Sequence, residues 1–373
     1  MALLFATLWH RELCECKSTP SIPHSDTKIA RAIEDTSMVP DNLFTQGRQM
    51  STEVGAVVIG RNEGQRLINC LSSVLASINC IIYVDSGSTD GSAEAAQRLG
   101  VFVVKLDGSQ PYTAARARNE GFAVLRKLRP DIRLIQFIDG DCELEKGWPE
   151  RAAAFLNQRK SIAIVCGRRR ERFPLASVFN QLCDVEWNTP IGEASSCGGD
   201  SLIRARAFED TGGFKAQLIA GEEPELCLRL RERGWRIWRL DAEMTRHDAN
   251  IKRFGQWWIR NVRAGYGLGE VCFLHWHSPL SIWKRELART VFWAGLLPLL
   301  ICTGMLVRPG LIAVLLIYVF QISRIAIIRG PAYPESWVYG LFTTVAKFAE
   351  LQGLLKFCLS KVGRETAKSM EYK

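Results

Sequence analysis

Hydrophobic positions along this chain of 373 residues fall into three regimes. Through residue 52 they follow neither a two-residue nor a 3.6-residue period, and Pro20, Pro23 and Pro40 interrupt scattered Ser and Thr. Segment 1–52 is therefore expected to be largely disordered. Its short apolar opening, Met1 to Trp9, lacks the preceding basic residues of a secretory signal, because Arg11 and Glu12 come after it. From Val54 the pattern alternates. Short, continuous apolar runs at Val54 to Gly60, Ile81 to Val84, Val101 to Val104 and Leu134 to Ile138 read as strands covered on both faces of a parallel sheet. Between them, Leu67, Leu71, Val74 and Ile78 recur at helical spacing, and Ser92 to Leu99 and Thr113 to Arg126 read as further helices. Strands alternating with helices predict an α/β sandwich with right-handed crossovers, whose ligands sit beyond the carboxyl ends of the strands.

The stretch from Phe173 to Ser196 is less regular. A helix is predicted from near Pro224 to Gly234, with Leu226 and Leu230 on one face and Gly234 at its C-terminal cap. The third regime begins beyond His247. Trp257, Trp258, Arg260 and Arg263 are followed by an uncharged run from Val291 to Val307, then by Arg308-Pro-Gly310 and a second run from Leu311 to Ser323 that Ile325 to Ile328 extend past Arg324. These runs predict a membrane hairpin, with Lys284, Arg285, Arg289, Arg324 and Arg329 holding both outer ends on the cytoplasmic side; the alternative is a buried helical pair in a soluble domain. Trp337 to Lys361 mixes Leu, Phe and Val with charges, as an interfacial helix does. The predicted divisions are 1–52, a catalytic domain at 53–250, basic and aromatic interfacial helices at 251–289, the hairpin at 290–329, and an interfacial helix with tail at 330–373.

Composition narrows the picture further. With 47% hydrophobic and 23% charged residues the chain can build a packed core. Its excess of 48 Lys and Arg over 39 Asp and Glu is assigned to a membrane surface and not to nucleic acid. Twelve cysteines without a C-x-x-C pair fit reduced thiols better than a disulfide scaffold or a zinc ribbon.

Three acidic clusters carry the candidate chemistry. Asp139-Gly140-Asp141 ends a predicted strand, and paired carboxylates there suit Mg²⁺ or Mn²⁺ bridging to phosphate oxygens, although Asp and Gly also make ordinary turns. Asp85-Ser86-Gly-Ser-Thr-Asp-Gly91 ends another strand and offers a carboxylate and hydroxyls to a base and ribose, or a cap to the next helix. Arg118-Asn119 lie on the helix between them. Glu222, Glu223 and Glu225 crowd a helix N-terminus, which acidic side chains favour in any case.

Taken together, the chain resembles the inverting family 2 glycosyltransferases of the GT-A fold, in a membrane-attached form of bacterial type. The resemblance runs over Val57 to Glu63, Val84 to Gly91, Ala117 to Gly121, Asp139 to Asp141, Gly212 to Phe214 and Gly221 to Gly234, in the family's order. It implies a nucleotide-diphospho-sugar transferase sandwich with a C-terminal membrane-associated helical region. It places Asn62, Glu63, Asp85, Ser86, Arg118, Asn119 and Asp139 around a nucleotide-sugar donor. It gives Asp139 and Asp141 the D-x-D position on ribose and metal-bound diphosphate, and His247 the place of a further metal ligand. Glu223 takes the general-base position, with Glu222 and Glu225 as neighbours able to fill it. The implied reaction moves a sugar to a lipid-linked or envelope polysaccharide acceptor at the cytoplasmic face of the inner membrane. Two alternatives are a sugar-1-phosphate nucleotidyltransferase, whose glycine-rich loop Gly60-Arg-Asn-Glu-Gly64 does not reproduce, and an inactive scaffold of the same fold.

Two further motifs have structural readings. Gly265-Tyr-Gly-Leu-Gly269 follows no strand and lacks the full dinucleotide spacing, so it predicts close helix packing. Gln256-Trp-Trp-Ile-Arg260 does not match the Q-x-x-R-W spacing of processive members; its rings suit stacking on a sugar or, by preference, the membrane interface.

Overall fold

The computed structural model describes residues 53–308 and 314–363. The expectations for segment 1–52, the start of the second apolar run and the end of the tail lie outside the described residues. Strand β1 (Val54–Gly60) is buried at every position, as an unbroken apolar run requires. Helix α1 (Gln65–Leu75), β2 (Cys80–Asp85), α2 (Ser92–Arg98), β3 (Phe102–Lys105), α3 (Ala114–Leu128) and β4 (Leu134–Asp139) follow, in the predicted alternation. These four strands are parallel, in the order β3-β2-β1-β4.

The sheet then changes character. It is completed by β5 (Cys142–Leu144), β6 (Ile162–Glu171), β7 (Gly192–Ala194), β8 (Ser201–Arg204) and β9 (Arg236–His247), giving nine strands among the described residues. β8 runs antiparallel to both β4 and β6, β9 runs parallel to β6, and β5 and β7 pair antiparallel with β9. Leu67 and Leu71 of α1, Ala96 of α2, and Trp148 and Leu156 of α4 (Trp148–Gln158) pack on one face. Phe122 and Leu125 of α3, Phe208 of α6 (Ala205–Thr211), and Leu226 and Leu230 of α7 (Glu222–Glu232) cover the other. Each buried Leu or Phe among them contributes about 1.5–3 kcal/mol of transfer free energy.

Two elements depart from the sequence reading. The stretch expected to be irregular contains α5 (Val178–Trp187), whose Phe179, Leu182 and Cys183 are buried against Ile251 and Trp257. Its apolar face is too short to stand out along the chain and depends on partners about seventy residues away. Helix α7 begins at Glu222, two residues before Pro224. Gly221 enters at φ 83°, and a proline in the first turn lacks only an N–H that would have no helical acceptor.

Beyond the sheet lie α8 (Phe254–Leu274), α9 (Lys284–Val307), α10 (Leu316–Arg329) and α11 (Pro334–Gly363). Among the described residues α9 is the one helix long and apolar enough to cross a membrane. Leu299, Leu300 and Leu306 are exposed on it. It widens into a π-turn at Val291–Leu296, where the Trp293 carbonyl accepts the Tyr318 hydroxyl of α10 at 2.6 Å. Helix α10 is 14 residues long.

The glycine motif packs helices, as expected. A Cβ on Gly265 would collide with the backbone of Glu350 in α11, and one on Gly353 with the Val262 carbonyl in α8. Trp257 is not at an interface: it is 2% exposed, stacked on Phe179 at 6.0 Å and edge-on to Phe342 at 5.1 Å. Apolar neighbours from α5 and α11 take the place that lipid headgroups were expected to fill. Gly265→Ala should therefore destabilise the full chain by about 1–3 kcal/mol through overpacking. Gly255→Ala in the same helix, where an added methyl meets nothing within 4 Å, should not lower the thermal unfolding midpoint in detergent.

Candidate active site

Asp85 and Asp139 end the two strands that flank β1, with Asp85 beside Gly60 and Asp139 beside Ile59. Both carboxylates therefore reach the same edge of the sheet. The loops after β1 and β2 are tied together there: the Asn62 side-chain oxygen accepts the Thr89 N–H at 2.8 Å, and the Asn62 N–H donates to Ser88 Oγ at 2.9 Å. Asn62 achieves this at φ 56°, a left-handed conformation that Asn tolerates. Asp85 is buried and accepts the Gly87 and Ser88 N–H groups at 3.1 and 2.9 Å and the Tyr83 hydroxyl at 3.0 Å. Glu63, buried and paired with Arg66, lines a cleft with Ser86, Tyr112, Asp139 and Asp141.

Arg118 joins this edge to the glutamate cluster. It is buried, and it donates through Nη2 to Asp139 at 2.8 Å and through Nη1 to Glu222 at 3.0 Å, with Glu223 3.1 Å away. The two acidic clusters, more than eighty residues apart in sequence, thus meet on one guanidinium. Asn119 faces elsewhere. Its side chain donates to the Phe214 carbonyl at 2.8 Å and accepts the Phe214 N–H at 2.9 Å, fastening the Gly212-Gly213-Phe214 turn to α3. Glu225 also points away from the cleft. It is fully buried and accepts from Arg229 at 2.6 and 2.8 Å, with His275 Nε2 2.8 Å away.

Asp141 meets His247, with Nε2 3.3 Å from the carboxylate. Cys142 Sγ lies within reach of both these side chains, and also of Asp139 and Asp200. The Nδ1 atom of His247 is buried without a hydrogen bond, and the Trp187 ring stands edge-on to the imidazole at 4.7 Å. The Asp141 oxygen and the imidazole nitrogen form a donor set that fits a divalent ion of the Mg²⁺ or Mn²⁺ type. The Cys142 thiol does not add to it, because burial pushes its pKa well up and hard cations prefer oxygen.

Two residues belong to this site that the sequence reading did not place in it. Asp200, 1% exposed, accepts the Asp139 N–H at 3.1 Å and the Thr245 hydroxyl at 2.7 Å. Arg169 stands 3.6 Å from both Asp139 and Asp200, with Trp187 over its guanidinium at 4.8 Å. Arg168 and Arg170, by contrast, pair with Asp241 and Asp184. The register of β6 against β9 slips on both sides of Arg168, and such bulges re-aim side chains. A run of three arginines is visible in the sequence, but which one turns inward depends on that bulge.

Residues 56–189 match the family model described as glycosyl transferase family 2. Over those residues the chain is similar to the family 2 glycosyltransferases. The nine-stranded mixed sheet agrees with the α/β fold that this resemblance implies. The chain is also similar to the succinoglycan biosynthesis protein ExoA of Rhizobium meliloti (strain 1021), at 26% identity over 215 residues, 55% of this chain and 64% of that one. The chain thus spans less than two thirds of that curated relative. Among solved structures it is similar to the mannosyltransferase PcManGT from Pyrobaculum calidifontis in complex with GDP-Man and Mn²⁺, with a TM-score of 0.49, 13% identity and 98% of each chain covered. It is also similar to S. aureus TarS, with a TM-score of 0.45, 11% identity and coverage of 80% of this chain and 55% of that one.

Within this site the three glutamates have different electrostatic environments. Burial, reinforced by the charge of Glu223 and only partly offset by Arg118, pushes Glu222 up to about 8. Burial also acts on Glu225, but His275 and Arg229 outweigh it and hold the carboxyl below its ordinary value. Because folded Glu222 keeps its proton where the unfolded chain has lost it, its contribution to stability is complete below about pH 4.5 and falls as the pH rises towards 8. Glu222→Gln should flatten that decline when unfolding midpoints are followed across the same pH range. Glu225→Gln should instead lower the unfolding free energy across that range by about 3–5 kcal/mol of lost pairing.

Proposed function

We propose that the enzyme is a membrane-attached, inverting glycosyltransferase that moves one sugar from a nucleotide-diphosphate donor to a lipid-linked or envelope polysaccharide acceptor. The observation that carries this reading is the Arg118 guanidinium, held between Asp139 on the donor edge and Glu222 and Glu223 on α7. It supports one cleft with a donor side and an acceptor side. Asp85, Ser86 and Asn62 belong to the base and ribose end, and Asp139 to the ribose.

Asp141 and His247 would hold Mg²⁺ or Mn²⁺. Once bound, that ion would stabilise the negative charge that builds on the diphosphate leaving group. Arg118 and Arg169 supply further positive charge around Asp139, fixed in place before the reaction. On the opposite side an acceptor hydroxyl is a poor nucleophile at neutral pH and needs a carboxylate to take its proton as the new bond forms. Glu223 suits this task better than its neighbours: its side chain is 17% exposed against 8% for Glu222 and 0% for Glu225. Attack from the face away from the leaving diphosphate inverts the anomeric carbon. Glu222, protonated up to about pH 8, keeps the charge around Arg118 balanced.

The exposed apolar surface of α9 supports attachment to the bilayer. Lys284, Arg285 and Arg289 at its start, and Arg324 and Arg329 on α10, favour a cytoplasmic catalytic side at the inner membrane.

Release of nucleoside diphosphate from a panel of nucleotide sugars, measured with and without Mn²⁺ in the presence of membrane lipids, tests the assignment. Metal-dependent release with a glycosylated lipid or polysaccharide product is expected, and pyrophosphate formation or no reaction would refute it. Asp141→Asn should weaken metal-dependent donor binding. Glu223→Gln should lower kcat about 10²–10⁴-fold while donor affinity persists; a fully active Glu223→Gln enzyme would move the base elsewhere.

A further inference from the structure

A cavity of about 440 Å³ lies between the apolar helices, walled by α9, α10 and α11. Arg289, Arg324, Arg329 and Lys347 line it, together with Trp293 and Tyr339. Four cations gather where three helices meet at the proposed cytoplasmic end of the apolar region, and Arg289, Arg324 and Arg329 are exposed there, free to meet an anionic head at the membrane surface. Lys347 has a counter-charge in Glu350, at 2.7 Å. Among the described residues no carboxylate pairs with Arg289, Arg324 or Arg329. Arg324 meets only the Gln321 side chain, at 3.4 Å, and Arg329 lies over the Tyr339 ring at 4.1 Å. The outer surface next to the cavity is apolar, with Phe320 67% and Ile328 72% exposed. Accessible positive charge in an open cavity beside an apolar surface matches an anionic head joined to hydrocarbon.

A second cavity, of about 90 Å³, shares Tyr339 and Thr343 with the first and is lined by Leu182 and Glu186 of α5. The last residue of α5 is Trp187, which packs on His247 and Arg169. The basic cavity is therefore linked through one helix to the wall of the catalytic cleft.

We propose that this cavity binds the phosphate or diphosphate head of a membrane lipid, with Arg289, Arg324 and Arg329 as its counter-charges and the hydrocarbon chain lying along α10. The proposal rests on the reading of membrane attachment given above. Two sources share this chemistry: the carrier of a lipid-linked acceptor, and an ordinary anionic phospholipid.

Native mass spectrometry of the full chain in a neutral detergent separates them. The chain is titrated in parallel with a long-chain prenyl diphosphate, phosphatidylglycerol, phosphatidylcholine and inorganic pyrophosphate. A saturable one-to-one adduct with the prenyl diphosphate supports the cavity and names the acceptor carrier as its source. An equal adduct with phosphatidylglycerol supports it and names the bulk lipid. Arg324→Gln combined with Arg329→Gln should weaken the adduct about tenfold or more, each cation near a lipid phosphate being worth roughly fivefold, while Arg324→Lys should largely retain it. Undiminished binding by the doubly substituted chain, binding of phosphatidylcholine as tight as of the anionic lipids, inorganic pyrophosphate binding as tightly as the lipids, or no adduct at all would overturn the proposal. Metal-dependent donor binding by the wild-type chain in the same preparation is a separate readout. Its loss counts against the proposed transfer reaction, and loss of the lipid adduct alone counts against the cavity.

Discussion

The architecture of the candidate site depends on burying one guanidinium among carboxylates. Arg118 on α3 is 2% exposed, and a charge withdrawn that far from water costs several kcal/mol unless partners replace its hydration. Asp139, Glu222 and Glu223 supply them, from the end of β4 and the first turn of α7. The arrangement has fixed consequences. Helix α7 must begin where its first carboxylates reach the guanidinium, and the Cys197-Gly-Gly-Asp200 loop must pass close enough that a Cβ on Gly199 would stand 2.8 Å from Asp139 Oδ2. The same interaction gathers carboxylates on both flanks of one guanidinium, and burial, reinforced by the charge of Glu223, leads Glu222 to hold a proton near neutrality.

Around this centre the two halves of the sheet have different tasks. The parallel half, β3-β2-β1-β4, brings Asp85 and Asp139 to one edge through strand direction alone, because carboxyl ends of parallel strands coincide. The antiparallel half closes the cleft from the other side. Long β9 carries Thr245 and His247 to Asp200 and Asp141, and the irregular register of β6 turns Arg169 inward. The C-terminal helices reach the site through α5, which is anchored by Phe179 and Leu182 in a cluster shared with Trp257 of α8 and Ala346 of α11. A movement of these helices would thus be felt at Trp187, next to His247.

Most of the parallel half was legible in the chain itself. Apolar runs such as Val54 to Gly60 and Ile81 to Val84 have a length and composition that only a covered strand satisfies, and the acidic residues that end them carry their position with them. Gly265-Tyr-Gly-Leu-Gly269 was legible too, because small residues at that spacing on a helix admit a neighbouring backbone. Asn119 and Glu225 were not. Each lies in a motif that points to the site, and in each the side chain is diverted by a local partner: the Phe214 backbone in one case, Arg229 and His275 in the other.

Local pattern thus determined the element order of the parallel half, the acidic strand ends and the apolar C-terminal region, because hydrophobic periodicity and turn chemistry act over a few residues. Tertiary structure decided which charges meet. Asp200 was silent in sequence, since a lone Asp after two glycines looks like any loop; it matters because β8 pairs with β4 and sets its carboxylate against the Asp139 N–H. The inward turn of Arg169, the burial of Trp257 and the gathering of Arg289, Arg324 and Arg329 around one cavity have the same origin. Electrostatic and packing partners separated by tens to hundreds of residues come within a few ångströms only once the chain has folded, and nothing in their local sequence records that distance.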